Sequence, residues 1–252
     1  MTPGIKVVTT SWDDGDALDL RVGDLLSARG LAGTFYVPIK GHHKRERMTE
    51  SDLRSLGAPQ LEIGAHGISH PDLAHCGPQE LVHEVVDCKH SLEDLLGKDV
   101  RVFAYPRGRY NGNVIAALKW AGYRGARTTR MLASELAFDP FKMATTVQAY
   151  PHPKFAYVRN LVRARYLAEA WKCMSHQNLS EDWSNLARAT FDSVLECGGI
   201  WHLYGHSWEI EEIGLWDSLQ RVLSYVAHRE GVLYLTNSEV LGLLVGSSCA
   251  SP

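Results

Sequence analysis

The feature that most limits what this chain can fold into is an alternation of short strand-like and longer helix-like segments along almost its whole length. Lys6-Val7-Val8-Thr9-Thr10 is a β-branched run. Residues 16–29 carry Leu18, Leu20, Val22, Leu25 and Leu26 ahead of Gly30, a helix and its stop. Thr34-Phe35-Tyr36-Val37 reads as a second strand, ended by Pro38. Thr49-Glu50-Ser51-Asp52 opens a short capped helix, and Leu61-Glu62-Ile63-Gly64 is a third strand. An amphipathic helix follows over 78–96, with Pro78 at its start. Val100 to Tyr105 is a fourth strand closed by Pro106, and a helix over 113–121 ends at Gly122. Short strands are expected around 125–129 and 143–149, then a strand from Gly199 to Tyr204, a helix over 214–228 and a strand from Val232 to Leu235. Residues 155–196 depart from the rhythm. They read as two successive helices broken near Asn178-Leu179-Ser180, an insertion or flank. Alternation of this length predicts a parallel α/β sheet, open or closed into a barrel, with 1–252 as one domain.

Composition narrows the partners. The formal net charge is -3 and the pI is near 6.5. No field strong enough to gather nucleic acid or anionic lipid is expected. The basic run His42-His43-Lys44-Arg45 reads as an exposed loop. The five cysteines are odd in number and form no CxxC pair, so neither a disulfide framework nor a cysteine zinc site is expected. No apolar run approaches the roughly 18 residues of a membrane span. The N-terminus runs straight into a strand without the pattern of a leader, so a cytoplasmic location is expected.

The unusual polar residues sit just past strand ends. Asp13-Asp14, His66, Pro106-Arg107 and His206 would converge on the C-terminal face of a parallel barrel, where active sites are assembled. Adjacent carboxylates are costly to bury without a cation or a shared proton. Alone, Asp13-Asp14-Gly15 fits equally a loop in which Asp14 or Asp16 caps the next helix. His66-Gly67-Ile68-Ser69-His70 places two imidazoles four residues apart, on one face if the segment is a helical turn. Beside a separate carboxylate they would supply three ligands and leave a position open for water, as catalytic zinc sites do. On the strand ending at His206, alternation puts His202, Tyr204 and His206 on one face, with His202 read as a satisfied core histidine.

These segments carry a resemblance to the polysaccharide deacetylases, the NodB-homology group or carbohydrate esterase family four. Ser11-Trp12-Asp13-Asp14-Gly15 is similar to the first family motif, and His66 through His70 to the second, with Gly67 at a Ser/Thr position. Phe103-Ala104-Tyr105-Pro106-Arg107-Gly108 resembles a variant third motif, Phe-Ala-Tyr-Pro-x-Gly, in which Ala104 stands where the family has arginine. Arg107 and Arg127 are the candidate replacements. His206 matches the histidine of the fifth motif, and the fourth is not recognisable.

The resemblance implies a distorted (β/α)7-8 barrel binding one divalent metal, zinc first, with cobalt, nickel, manganese or iron as alternatives. It implies Asp14, His66 and His70 as metal ligands and Asp13 as general base. His206 would be the general acid, and the backbone N–H of Arg107 an oxyanion donor. Tyr105, Pro106, Tyr204 and Trp208 are candidate substrate contacts, with Trp12, Trp208 and Trp216 as candidates for sugar stacking. Glu209 is a candidate to orient His206. The expected activity is removal of an acyl group, N-acetyl first, from an amino-sugar or glycan by water activated on the cation. Cyclic-amide or N-formyl hydrolysis on the same fold is the nearest alternative, and a non-catalytic glycan-binding barrel the alternative of another class. Neither a nucleic-acid partner nor a membrane span is expected.

Overall fold

Strand β1 (Lys6–Asp13) is buried along nearly all its length and forms the axis of the molecule. In this computed structural model, residues 4–41, 44–56, 59–153 and 182–248 are described. The chain continues through α1 (Asp19–Ser27), β2 (Gly33–Val37), α2 (Glu50–Leu56) and β3 (Leu61–Ala65). Next, α3 (Pro78–Val82) passes through a π-helical turn (His83–Asp87) into α4 (Cys88–Leu96). Then come β4 (Val102–Ala104), α5 (Gly112–Trp120), β5 (Gly125–Arg127) and β6 (Val147–Gln148). The remainder is α6 (Trp183–Cys197), β7 (Gly199–Gly205), α7 (Ser207–Glu212), α8 (Trp216–Val226), β8 (Val232–Tyr234) and α9 (Asn237–Ser248).

All the strand pairs are parallel, in the order β5-β4-β3-β2-β1-β7-β6. One edge of β1 is shared, with Lys6–Val8 against β8 and Ser11–Asp13 against β2. The two ends of the sheet meet through the segment after β5. Met143 N–H donates to Ala126 O at 3.0 Å and Thr128 N–H to Met143 O at 2.8 Å, and three residues on Thr146 N–H donates to His202 O at 2.8 Å. The result is the expected distorted barrel, closed on that side by little more than one residue.

Strand alternation sorts the side chains. Val8 and Trp12 face outward and join Val22 and Leu26 of α1 in the main core. Val7 faces inward with Tyr36, Val102, Ala104 and Ile200, where Val240 and Leu241 of α9 plug the floor. The helices cover the outer face by the same economy. Asp182 caps α6 by accepting from Ser184 N–H at 2.9 Å, and the helix buries Trp183, Ala187, Phe191 and Val194. Trp201 of β7 donates its indole N–H to Ala187 O at 3.0 Å, which seats α6 on the sheet. No helix among the described residues is long and apolar enough to cross a membrane.

Several expectations are refined. The segment from His66 to His70 is no helical turn. It is a loop with left-handed backbone at Gly67 (φ +84°) and His70 (φ +59°). The fourth strand shortens to Val102–Ala104. Helices α7 and α9 had no counterpart in the pattern read from the sequence. Of the two helices expected over 155–196, residues 154–181 lie outside the described residues, and the rest is α6. His42 and His43 also lie outside.

Asn237 shows how the floor is tied to the sheet. Its amide donates to Tyr36 Oη at 2.8 Å and accepts from Thr9 Oγ1 at 2.9 Å, both buried. Asn237→Ala strands two buried hydroxyls, so we expect a loss of about 1–3 kcal/mol, read as a lower urea midpoint with an unchanged slope. An unaltered midpoint would show that the hydroxyls find other partners.

Candidate active site

Asp13 is the last residue of β1, and the chain then turns through two consecutive left-handed residues, Asp14 (φ +83°) and Gly15 (φ +67°). Aspartate tolerates this region better than most side chains. Backbone bonds hold the turn: Asp14 N–H to Tyr36 O at 3.0 Å and Met48 N–H to Gly15 O at 3.1 Å. Both carboxylates are therefore delivered, buried, to the mouth of the barrel.

Each is held differently. Asp13 is bound through both oxygens by Arg127 Nη2. The Arg127 side chain has no exposed surface, and its guanidinium lies between the rings of Tyr36 (5.2 Å) and Tyr204 (5.1 Å). Burial alone would raise the Asp13 pKa, but Arg127, with His66 and His206, outweighs it and holds the carboxyl below its usual range. Burial likewise disfavours the Arg127 cation, and Asp13 reverses that too. Asp14 instead faces the imidazoles. Its Oδ1 is 3.7 Å from His66 Nε2 and 3.6 Å from His70 Nε2, and its Oδ2 accepts from the Trp208 indole at 3.0 Å.

The structure thus brings Asp14, His66 and His70 together, with one ligand atom of each within 4.8 Å of the others. His66 Nδ1 lies 2.8 Å from Ala104 O. A carbonyl only accepts, so Nδ1 carries the proton and Nε2 turns its lone pair to the carboxylate. Burial pulls the His66 pKa down by more than Asp13 and Asp14 raise it, which keeps the ring neutral. The His66 lone pair facing a buried carboxylate oxygen repels it unless a cation lies between them. Two nitrogens and one oxygen suit zinc, and also cobalt, nickel, manganese or iron. These residues fit such an ion.

His206, just past β7, completes the group. Its Nε2 is 3.9 Å from Asp13 Oδ2 and from Asp14 Oδ2. Its Nδ1 is 2.7 Å from Glu209 Oε2, three residues on in α7. Burial works against the imidazolium, but the Glu209 bond and the charges of Asp13, Glu209 and Asp14 push its pKa up to about 9. Gln148 of β6 donates to Glu209 at 3.2 Å and accepts from Tyr204 Oη at 2.5 Å. His202, one step deeper, lies 2.9 Å from Ser11 Oγ and 3.1 Å from Ala144 O. Burial, then Arg127, pushes it down to about 3, and it is a satisfied core histidine.

Among the other expected site residues, Tyr105, Trp12 and Trp216 turn away from this group. Tyr105 turns into the outer core, stacks on Tyr110 at 4.5 Å and donates to Phe141 O at 2.9 Å. Trp12 is fully buried in that core, and Trp216 donates to Glu211 on the outer side. Tyr204 faces the barrel, its hydroxyl on Gln148 and its ring on Arg127. Pro106 is buried, and Arg107 is left-handed (φ +58°) with an exposed side chain. Of the two candidate arginines, Arg127 reaches Asp13. Gln148 was not anticipated, and a two-residue strand offers little periodicity to reveal it.

Titratable groups converge here at the C-terminal face of a parallel barrel, the face on which barrel enzymes build their active sites. Comparison sets the family. The polysaccharide deacetylase family model matches residues 1–126, half of the sequence, and the chain belongs to that family. A Bacillus subtilis (strain 168) protein named for polysaccharide deacetylation, YxkH, is 26% identical over 128 residues, 50% of this chain and 46% of that protein. The match therefore spans less than half of that relative's length. Among solved structures, a Mycobacterium smegmatis protein assigned to the polysaccharide deacetylases matches with a TM-score of 0.69 at 16% identity, over 98% of this chain and 92% of that one. The Streptococcus pyogenes deacetylase PplD, solved with acetate, gives 0.53 at 21% identity, over 58% and 66%. A CE4-family pseudoenzyme from Bacillus anthracis gives 0.56 at 14% identity, over 95% and 66%.

The Arg127–Asp13 pair makes a stability prediction that needs no substrate. Arg127→Met leaves a buried carboxylate without its cation and should cost about 3–5 kcal/mol in urea unfolding with chelator present. Adding Asp13→Asn should recover most of the loss. Two purely additive losses would show that the pair does not account for the burial of Asp13.

Proposed function

We propose that this chain is a metal-dependent hydrolase that removes an acyl group, N-acetyl first, from an amino-sugar or glycan. The observation that carries the reading is the gathering of Asp13, Asp14, His66, His70 and His206 at one barrel mouth, with the two proton carriers each bound by its own ionic partner. A divalent ion held by Asp14, His66 and His70 supplies Lewis acidity, polarising a carbonyl and lowering the pKa of water. Asp13, kept ionised by Arg127, takes a proton as water attacks the amide carbonyl. The backbone N–H of Arg107 serves in this reading as the oxyanion donor, of a kind worth about 3 kcal/mol in comparable sites. His206, held by Glu209, gives its proton to the departing nitrogen as the C–N bond breaks. The products are the free amine and acetate, the small acid found with the streptococcal relative.

Trp208 enters this reading as the support of Asp14, and its ring, 5.5 Å from His206, forms one wall of the mouth. Tyr204 supports both arms, its hydroxyl on Gln148 and its ring on Arg127. A non-catalytic barrel is the second reading, because a pseudoenzyme shares the fold. The presence of both proton carriers, each with an ionic partner, favours the active one.

The first test is metal content by inductively coupled plasma mass spectrometry. We expect near one equivalent in wild type and loss in His66→Ala and Asp14→Ala. Acetate release is then followed with N-acetylated amino-sugar oligomers. Asp13→Asn should keep the metal and lower kcat/KM by about 10²–10⁴-fold. Full activity in that variant would remove Asp13 as the base. A wild type that takes up no zinc, cobalt, nickel or manganese would leave only the barrel.

A further inference from the structure

The loop from His66 to His70 must be held in a conformation that its residues do not favour. Gly67 and His70 are left-handed, and the histidine has no glycine-like freedom there. His66 is fixed directly, through Nδ1 to Ala104 O. The position of His70 comes with the backbone that leads into it. Two of that loop's carbonyls are taken by the strap after β2: Ile39 N–H donates to Gly67 O at 3.1 Å and Lys40 N–H to Ile68 O at 2.6 Å. The N–H groups of Ile68 and Ser69 turn the other way, toward one side chain.

That side chain is Glu84, in the π-helical turn between α3 and α4, with 3% of its surface exposed. Its Oε2 accepts from Ile68 N–H at 2.6 Å and Ser69 N–H at 3.0 Å, and its Oε1 from Ser69 Oγ at 2.6 Å. Neighbouring Leu81, Val85, Cys88 and Leu92 are core residues, so a carboxylate has been placed on the apolar stripe of this helix. A π-turn inserts extra backbone into a helix and re-aims the side chains on it. Gly67 clears the way: a Cβ there would stand 2.9 Å from Glu84 Oε2.

We propose that Glu84 is the positioning residue of the cation site, setting ion affinity by clamping the backbone that carries His70 beside His66 and Asp14. The inference rests on the reading that these three residues hold a divalent ion, and adds to it a residue that bonds the chain between two of them. Supporting groups of this kind govern metal affinity by about 10–100-fold. Two oxygens for three donors explain why an acid stands there. Glutamine could keep both N–H bonds on its amide oxygen and turn its NH2 to the Ser69 hydroxyl. Alanine would take away the acceptor of the buried Ile68 N–H and leave the part-buried Ser69 N–H to solvent.

The test is the zinc dissociation constant of the full chain by chelator competition, with the melting temperature of each metal-free variant measured alongside. Glu84→Ala should weaken zinc binding by about 10–100-fold, Ser69→Ala by less, and Glu84→Gln should recover most of the loss. Leu92→Ala, which destabilises the same helix from its core side, should lower the melting temperature without the loss of affinity. Wild-type affinity in Glu84→Ala, or an equal loss in Leu92→Ala, would overturn the proposal and leave Glu84 a packing residue. If Glu84→Ala does not fold, the comparison of Ser69→Ala and Glu84→Gln with wild type decides by the same criterion. A wild type that binds no zinc removes this proposal together with the cation site, whereas tight binding in wild type and all variants removes this proposal alone.

Discussion

The buried contact between Arg127 and Asp13 is the constraint around which the interior of this barrel is built. A carboxylate with 3% of its surface exposed is unfavourable unless a cation accompanies it. The cation brought to it is itself out of water and needs its own surroundings. Two tyrosine faces and the carboxylate provide them. Each tyrosine hydroxyl is then anchored in turn, Tyr36 by Asn237 of the last helix and Tyr204 by Gln148 of β6. A column of polar contacts therefore runs from the floor to the mouth, inside a barrel whose outer face is packed with aliphatic and aromatic side chains. The apolar layer alone could close the fold. The column sets where the charged groups stand.

Partner identity, more than burial, sorts the histidines at and below the mouth. His66 and His202 are buried, and His206 at the mouth keeps 21% of its side chain exposed. The Nδ1 of His66 and of His202 meets a neutral backbone carbonyl, and burial pulls both pKa values down. The Nδ1 of His206 meets the carboxylate of Glu209, and its pKa is pushed up to about 9. Two neutral rings and one that retains a proton are thus produced from the same side chain within one barrel. Environments that separate titratable groups in this way mark out candidate acids, bases and ligands. The two arms also share a part, since Tyr204 packs on the arginine that holds Asp13 and bonds the glutamine that holds Glu209.

What was legible in the sequence was local. Strand–helix alternation and polar residues at strand ends are properties of neighbouring positions, and Asp13, Asp14, His66, His70 and His206 meet as those positions required. Alternation also carried more than was first taken from it. If Ala104 faces inward, Tyr105 must face outward, and its place in the outer core follows from the strand alone. The spacing of His66 and His70 misled about conformation, because four residues bring two rings together in a left-handed loop as well as in a helical turn. Arg127, Gln148 and Glu84 were harder, for they act across the fold. Glu84 left one trace, an acid on the stripe of Leu81, Val85, Cys88 and Leu92, where an amphipathic helix should carry a hydrophobe.

The register of the sheet explains how a cation comes to stand beside Asp13. Ala104, at the end of β4, is paired in register with Arg127 on the next strand. Side chains in register on adjacent parallel strands point to the same face, about 4.8 Å apart. A long, flexible guanidinium readily spans that distance, so the cation can move one strand over while its charge stays beside Asp13. The requirement that the barrel meets is a positive charge at one point in space. Two sequence positions can meet it, and only the pairing of β4 with β5 shows that they are equivalent.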